Sequence, residues 1–229
     1  MPPTAPAARP TRVWDLPTRA FHWVLAATIV GSVITGHVGG SAVVWHFRLG
    51  YLVLGLIVFR LVWGLVGGRW SRFASFVYAP ATLLRYLRGD TRPGDHFEVG
   101  HNPLGALSVF ALLAVLAVQV GTGLIADDEI ANTGPLNRYV ATATGLAATA
   151  WHKDGGQWLI IALVVLHVGA IVFYLRRKGV NLVRPMLTGD KLLPEGTPPS
   201  ADGVATRLGA AVVAAGVAAL VTWVVSLGG

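Results

Sequence analysis

The sequence predicts an all-α integral membrane protein: a four-helix transmembrane bundle followed by a fifth, C-terminal transmembrane helix. Three observations carry this. The 229-residue chain is 54% hydrophobic and only 13% charged, too apolar and too charge-poor for an ordinary soluble domain. Five apolar runs, at residues 20–37, 47–66, 104–125, 157–175 and 208–227, each come close to the roughly 20 residues that cross a lipid core. The basic residues collect in alternate connections, as they do in multi-pass proteins.

Taken in order, residues 1–12 are rich in Pro and Ala and are expected to be a disordered cytoplasmic N-terminus. "VWDLPTRAFHW" leads into the first span, with Trp14 and Trp23 at the interface, and "GHVGG" ends it. The second span opens with "WHFRLGY" and closes at "WGLVGGRW". The link after it carries "YAPATLLRYLRG", which reads as a short amphipathic surface helix. "GHNPLG" starts the third span, with Asn102 as N-cap and Pro103 at the first helical position. A long connection at 126–156 follows, with the acidic cluster Asp127, Asp128 and Glu129. The fourth span leads to a basic, amphipathic surface stretch, "RRKGVNLVRPMLTGDK". Residues 192–207 read as a flexible linker, and 208–229 hold a fifth span without His or charge.

The net charge of +7 is a topology signal rather than a nucleic-acid footprint. Arg9, Arg12 and Arg19 precede span one. Arg69, Arg72, Arg85, Arg88 and Arg92 follow span two. Arg176, Arg177, Lys178, Arg184, Lys191 and Arg207 follow span four. The positive-inside rule therefore places the N-terminus in the cytoplasm of a bacterial inner membrane and the C-terminus in the periplasm. The chain has no cysteine, which excludes Cys-ligated iron–sulfur clusters, thioether-linked haem, thiolate metal sites and disulfides.

Histidine placement points to the chemistry. His22 opens span one on the cytoplasmic side; His46 and His152 open spans two and four on the other side; His167 lies deeper in span four. His152 and His167 are 15 residues apart, roughly 22 Å along a helix and about 60° apart in direction, so they share one broad face. Neutral imidazole binds iron well, and two histidines on neighbouring helices supply both axial positions of a haem. Saturating both positions leaves none for oxygen or substrate, which suits electron transfer. The depths pair His46 with His152 and His22 with His167, one bis-histidine site near each membrane surface. The plainer reading of any single one is an interfacial histidine bonded to a carbonyl or headgroup.

His101 stands at the start of span three, where it could replace His22 or His167, touch a haem propionate, take a proton from quinol, or simply sit at the interface. His37 and His96 lie in turns and read as solvated. Arg60, a charge within span two, and the flanking Arg19, Arg48 and Lys153 are propionate candidates, or else ordinary interfacial anchors.

"TRAFHW", "WHFRLGY", "LLRYLRG", "GHNPLGALSV", the "DD…GPL" loop, "LVVLHVGAI" and "NLVRPMLTG" together resemble the bacterial cytochrome b-561 family, which includes the di-haem cytochrome b subunits associated with nickel–iron hydrogenases. The likeness spans residues 13–191. It implies a four-helix haem-binding core with two non-covalent b haems, liganded at the positions of His22, His46, His152 and His167. The fifth span lies outside that core.

The function expected is a di-haem b-type cytochrome carrying electrons across the bilayer between a redox partner protein and quinone, as a quinone oxidoreductase or as the cytochrome b subunit of a respiratory complex. A periplasmic cytochrome c or a hydrogenase-type subunit would dock at the acidic loop; the oligomeric state is open, a homodimer included. A non-catalytic membrane anchor for a peripheral oxidoreductase is the alternative reading. A transition-metal transporter is a weaker one, since the acidic cluster lies outside the spans.

Overall fold

A computed structural model describes residues 8–92 and 94–228. Among the described residues, five helices have the length and composition to cross a membrane. They are α1 (Leu16–Val38), α2 (Val43–Val66), α4 (Pro103–Ile125), the continuous column Thr142–Lys178, and α8 (Val204–Ser226). The column is built from α5 (Thr142–Ala150), a π-helical turn (Trp151–Gly156) and α6 (Gln157–Lys178). The surface segment after α2 forms α3 (Pro80–Leu87), and the stretch after α6 forms the short α7 (Val183–Thr188).

The helix ends follow local chemistry. Asp15 caps α1 by accepting the Thr18 N–H at 2.8 Å, and Asn102 caps α4 by accepting that of Gly105 at 2.8 Å, with Pro103 just inside. Both side chains satisfy amides that the first helical turn leaves free. Gly179, at φ 65°, ends α6 in the left-handed region that its missing Cβ permits.

In the bundle, α1 packs on α2, α2 on α4 and α8, and α4 on α5 and α6. Val53, Ile57, Leu116 and Ile160 are its buried centre, contributed by α2, α4 and α6. Most other apolar side chains point outward; Leu65 is 72% exposed and Leu166 69%. So broad an apolar exterior is what a lipid-facing bundle presents.

Three sequence expectations need correction. Residues 8–12 are not disordered: Ala8–Arg12 is a strand, β1, paired antiparallel with β2 (Asp190–Pro194). Residues 1–7 lie outside the described residues. The segment 192–207 is not a loose linker either. It begins within β2; Ser200 then donates its hydroxyl to the Val13 carbonyl at 2.7 Å and accepts the Trp70 amide at 3.1 Å. Asp202 accepts the Leu16 amide at 2.9 Å and ion-pairs with Arg12 (3.1 Å), Arg19 (3.8 Å) and Arg207 (3.5 Å). These partners are remote in sequence, so local composition does not reveal them. Third, the fifth helix starts at Val204, not at 208, because Arg207 in its first turn finds a carboxylate; Gly229 lies outside the described residues.

The N-terminus, the α2–α4 link and the α6–α8 link thus meet at one end of the bundle, here the basic end. Beneath the strands lies a second cluster, Val13, Trp14, Trp70, Val99 and Leu193. Asp15, fully buried, ties it to the helices. Besides capping α1, it accepts from the Trp63 indole (3.2 Å), the Gly68 amide (2.9 Å) and the Ser71 hydroxyl (2.8 Å). Replacing Asp15 by Ala strands these donors and should cost roughly 2–4 kcal/mol. Thermal unfolding of the detergent-solubilised protein checks this. Asp15→Ser, which keeps a capping oxygen, is expected to lose less.

Candidate functional site

Facing histidines occupy both ends of the bundle. At the far end, His46 on α2 and His152 in the π-helical turn bring their ring centroids to 5.8 Å, with planes at 83°. At the basic end, His22 on α1 and His167 on α6 stand 6.3 Å apart, planes at 50°. The pairing is the one that depth predicts. Both helices that carry the basic-end pair run past the expected membrane limits, α1 from Leu16 and α6 to Lys178. Among the described residues no three His, Cys, Asp or Glu side chains cluster, so these groups meet as pairs.

The far-end rings are fixed in orientation. The His46 Nδ1 lies 2.9 Å from the Ser32 carbonyl on α1, and the His152 Nδ1 lies 2.9 Å from the Gln119 carbonyl on α4. A carbonyl oxygen only accepts, so each Nδ1 carries the proton and each Nε2 keeps its lone pair. Gln119 also donates its amide to the His152 carbonyl at 2.9 Å. Two glycines make room: a Cβ on Gly36 would stand 3.1 Å from His46 Nδ1, and one on Gly123 3.0 Å from His152 Cε1. Both rings line a cavity of about 330 Å³, walled by Val53, Leu116 and Ile160 and reached by Lys153 and Asp128.

Asp128 holds a tight turn. Its carboxylate accepts from the Asn132 side chain (2.6 Å) and from the amides of Asn132, Ala131 and Ile130. These donors, the Asn132 side chain foremost, keep it ionised well below the usual carboxylate range. Of the other sequence candidates at this end, Lys153 lines the cavity, whereas Arg48 stacks on Trp45 at 4.9 Å and is not brought into it. His37 is exposed and donates to or accepts from nothing deeper than the Val33 carbonyl and Gln157.

The basic-end pair sits among polar atoms without partners. The Nδ1 atoms of His22 and His101, the Arg60 Nη1 and the Arg19 Nε are all buried and make no hydrogen bond. Arg60 is only 3% exposed, its guanidinium 4.6 Å above the Phe73 ring. His101 is wedged between Trp14 (4.8 Å) and Phe76 (4.5 Å), whereas the rings that face each other at this end are those of His22 and His167. Its backbone carbonyl accepts from Tyr78 at 2.7 Å. Burial first, then Arg60 and Lys191 and more weakly His167 and His22, pull its imidazole down to about 3. His96 is exposed, 3.9 Å from Glu98.

A b haem suits both pairs. Iron held between two imidazoles at metal–nitrogen distances of about 2 Å puts the ring centroids roughly 6 Å apart, as observed at each end. Orphaned donors at the basic end match the carboxylates such a group carries. Ser32, Gln119, Gly36 and Gly123 are the participants that sequence reasoning missed. Gln119 alone left a signal, as an amide in an otherwise apolar span.

Apolar helices gathered around two facing imidazole pairs define a membrane haem-binding bundle, the architecture of a b-type cytochrome. The family model for prokaryotic cytochrome b561 matches residues 13–189, and the chain belongs to that family. It is thus a multi-pass membrane b-type cytochrome, with haem held without covalent attachment. Among curated proteins it is similar to the "Probable Ni/Fe-hydrogenase 1 B-type cytochrome subunit" of Escherichia coli (strain K12), 26% identical over 191 residues covering 68% of this chain and 80% of that protein. It is also similar to the "Probable Ni/Fe-hydrogenase B-type cytochrome subunit" of Cupriavidus necator, 28% identical over 71% of this chain and 79% of the relative. The Rhizobium leguminosarum bv. viciae protein of that name is 21% identical over 80% of this chain and 89% of its own length. No solved structure matches the chain.

The depressed His101 pKa has a consequence for stability. The folded protein keeps this imidazole neutral down to about pH 3, while the unfolded chain protonates it below about 6.5. Folding is therefore unaffected by this group above that pH and loses stability as pH falls from 6.5 towards 3. Thermal midpoints measured at pH 7.5 and pH 5 should drop further for the native protein than for His101→Gln.

Proposed function

We propose that the protein is a di-haem cytochrome that moves electrons through the membrane between a redox partner at the far end and quinone at the basic end. The observation that carries this is the pair of facing imidazole couples, 5.8 Å and 6.3 Å across, with one ring of each borne by one continuous column. Their separation along that column is roughly 20 Å, which spans most of a lipid core. Each bound haem supplies a one-electron couple; the protein sets its position and surroundings. His46 and His152 hold one group and His22 and His167 the other. The apolar walls at Val53, Leu116 and Ile160 would keep water from the group held at the far end.

Arg60 and Arg19, whose buried Nη1 and Nε lack partners, would bind a haem propionate or the oxygens of a quinone headgroup, with the neutral, packed His101 at most a hydrogen-bond donor beside them, and Lys153 would serve a propionate at the far end. By the positive-inside rule the basic end is cytoplasmic and the C-terminus periplasmic, in a bacterial inner membrane. The acidic turn at Asp127–Glu129 then faces the periplasm beside the far-end site. Relatives bear the name of nickel–iron hydrogenase cytochrome subunits, which supports a hydrogenase-type subunit as the partner docked there.

A pyridine haemochrome assay on the purified protein is expected to return two b haems per chain. Absence of haem would favour a purely anchoring subunit. Single Ala replacements at His46 or His152 should each remove one haem, and those at His22 or His167 the other. Loss of both haems in every variant would overturn the pairing. A quinone analogue should oxidise the reduced protein, and Arg60→Gln should slow that oxidation at least tenfold in stopped-flow traces of the α-band.

A further inference from the structure

The short helices at the basic end carry both apolar edges and cations that the fold itself leaves unused. On α3 the half-buried Tyr86 reaches inward. Its hydroxyl lies 2.9 Å from that of Tyr174 on α6, which also accepts from the Asn102 side chain at 2.8 Å. The opposite edge of α3 holds Leu84 and Leu87, both exposed, with Arg88 one turn beyond Leu84. Tyr174 sets the depth of this helix. Its neighbours Phe173 and Leu175 are exposed, as a lipid-facing surface is, and Arg176, Arg177 and Lys178 follow at once. Arg177 and Lys178 stand one turn beyond Tyr174 on the same side. Helix α3 is thus held where hydrocarbon gives way to headgroups, with its free edge outward.

Helix α7 is fixed at a similar level. The Trp23 indole donates to the Met186 carbonyl at 3.0 Å, and Arg19 donates to the Leu187 carbonyl at 2.6 Å. Trp23 is itself exposed, an indole with one wet and one apolar side, as at a membrane interface. Val183 and Leu187, one turn apart, face outward, with Arg184 beside them. Among the described residues the exposed side chains of Arg88, Arg176, Arg177, Lys178 and Arg184 make no ion pair or hydrogen bond. Nearby carboxylates are engaged elsewhere: Asp95 by Arg85 at 3.3 Å and Asp190 by Arg12 at 3.0 Å, while Glu98 stands 3.9 Å from His96. Asp90 is exposed at the end of α3, one carboxylate against those five cations.

We infer that α3, α7 and the end of α6 form a binding surface for anionic phospholipids of the leaflet at the basic end. Arg88, Arg177 and Arg184 hold the headgroup phosphates, to which a guanidinium donates two parallel hydrogen bonds. The acyl chains continue along the edges at Leu84, Leu87 and Leu187. A soluble anion would satisfy the arginines and leave those leucines in water, whereas a zwitterionic lipid would cover the leucines and bring no net charge to the cations. Only a lipid with a net negative headgroup meets both demands.

Native mass spectrometry of the full, haem-loaded chain in detergent tests this, with phosphatidylglycerol and phosphatidylcholine of identical acyl chains as probes. The native protein should bind phosphatidylglycerol at concentrations at least tenfold lower than phosphatidylcholine. Arg88→Gln, Arg177→Gln and Arg184→Gln together should abolish that preference, with the α-band unchanged as the sign of an intact bundle. The same three positions changed to Lys should retain most of it. Leu84→Ser with Leu87→Ser and Leu187→Ser leaves the charge alone and should weaken phosphatidylglycerol binding severalfold. Equal binding of the two lipids by the native chain overturns the assignment, a result that no variant's folding affects. A preference that survives the triple Gln replacement overturns it too, and so does displacement of the lipid by inorganic phosphate at equal concentration, which would mark the cations as a site for a soluble anion.

Discussion

Two imidazoles on one helical column, His152 and His167, constrain where every other helix of the core stands. A polar ring within an apolar span needs a partner, since lipid offers none. The column therefore has to be met at two depths. Helix α2 enters from the far end and delivers His46 in its first turn; α1 runs the other way and delivers His22 in its second. Helix α4, which contributes no ring to either pair, packs on α2 and α6 and supplies the Gln119 carbonyl and the space at Gly123. The antiparallel order of the spans follows from short connections. Which faces meet follows from the histidines.

The basic end is organised around carboxylates rather than rings. Asp15 gathers the start of α1, the end of α2 and the turn beyond it through four hydrogen bonds. Asp202 gathers Arg12, Arg19 and Arg207 and so draws the fifth helix onto the core. Arg19 belongs to both settings: it pairs with Asp202, reaches the Leu187 carbonyl at 2.6 Å, and sits one turn before His22. Segments that flank the family domain, residues 8–12 and 190–207, are thereby built into the floor beneath the basic-end pair.

Much of this was legible in the sequence, and the limits are physical. Five spans, their caps at Asn102 and Pro103, the surface helix at 80–87 and the partners of each histidine all follow from local composition, depth and the 3.6-residue period. The β1–β2 ribbon does not, because its two strands are some 180 positions apart and five residues each, too short and too remote for any periodic signal. The carbonyls that orient His46 and His152 are equally silent. Any residue type carries a carbonyl, so Ser32 and Gln119 are picked out by helix packing, not by side-chain identity. His101 shows the converse: its type and position suggest a ligand, yet the Trp14 and Phe76 rings on either side turn it into a packed, neutral group.

The π-helical turn at Trp151–Gly156 gives the column an adjustable register. A turn of this kind accommodates one residue more than an α-helical turn. It lowers the angular step per residue and so takes up part of the roughly 60° that an unbroken α-helix would leave between His152 and His167. Gly155 and Gly156, which pack against the Trp151 ring, let the chain widen there. In a lineage of such proteins, gain or loss of a single residue in this turn would swing one ring by about 100° relative to the other. The spacing of the two histidines is thus tied to a local insertion, and a relative without the wide turn would need a different count of residues between them to face the same two partners.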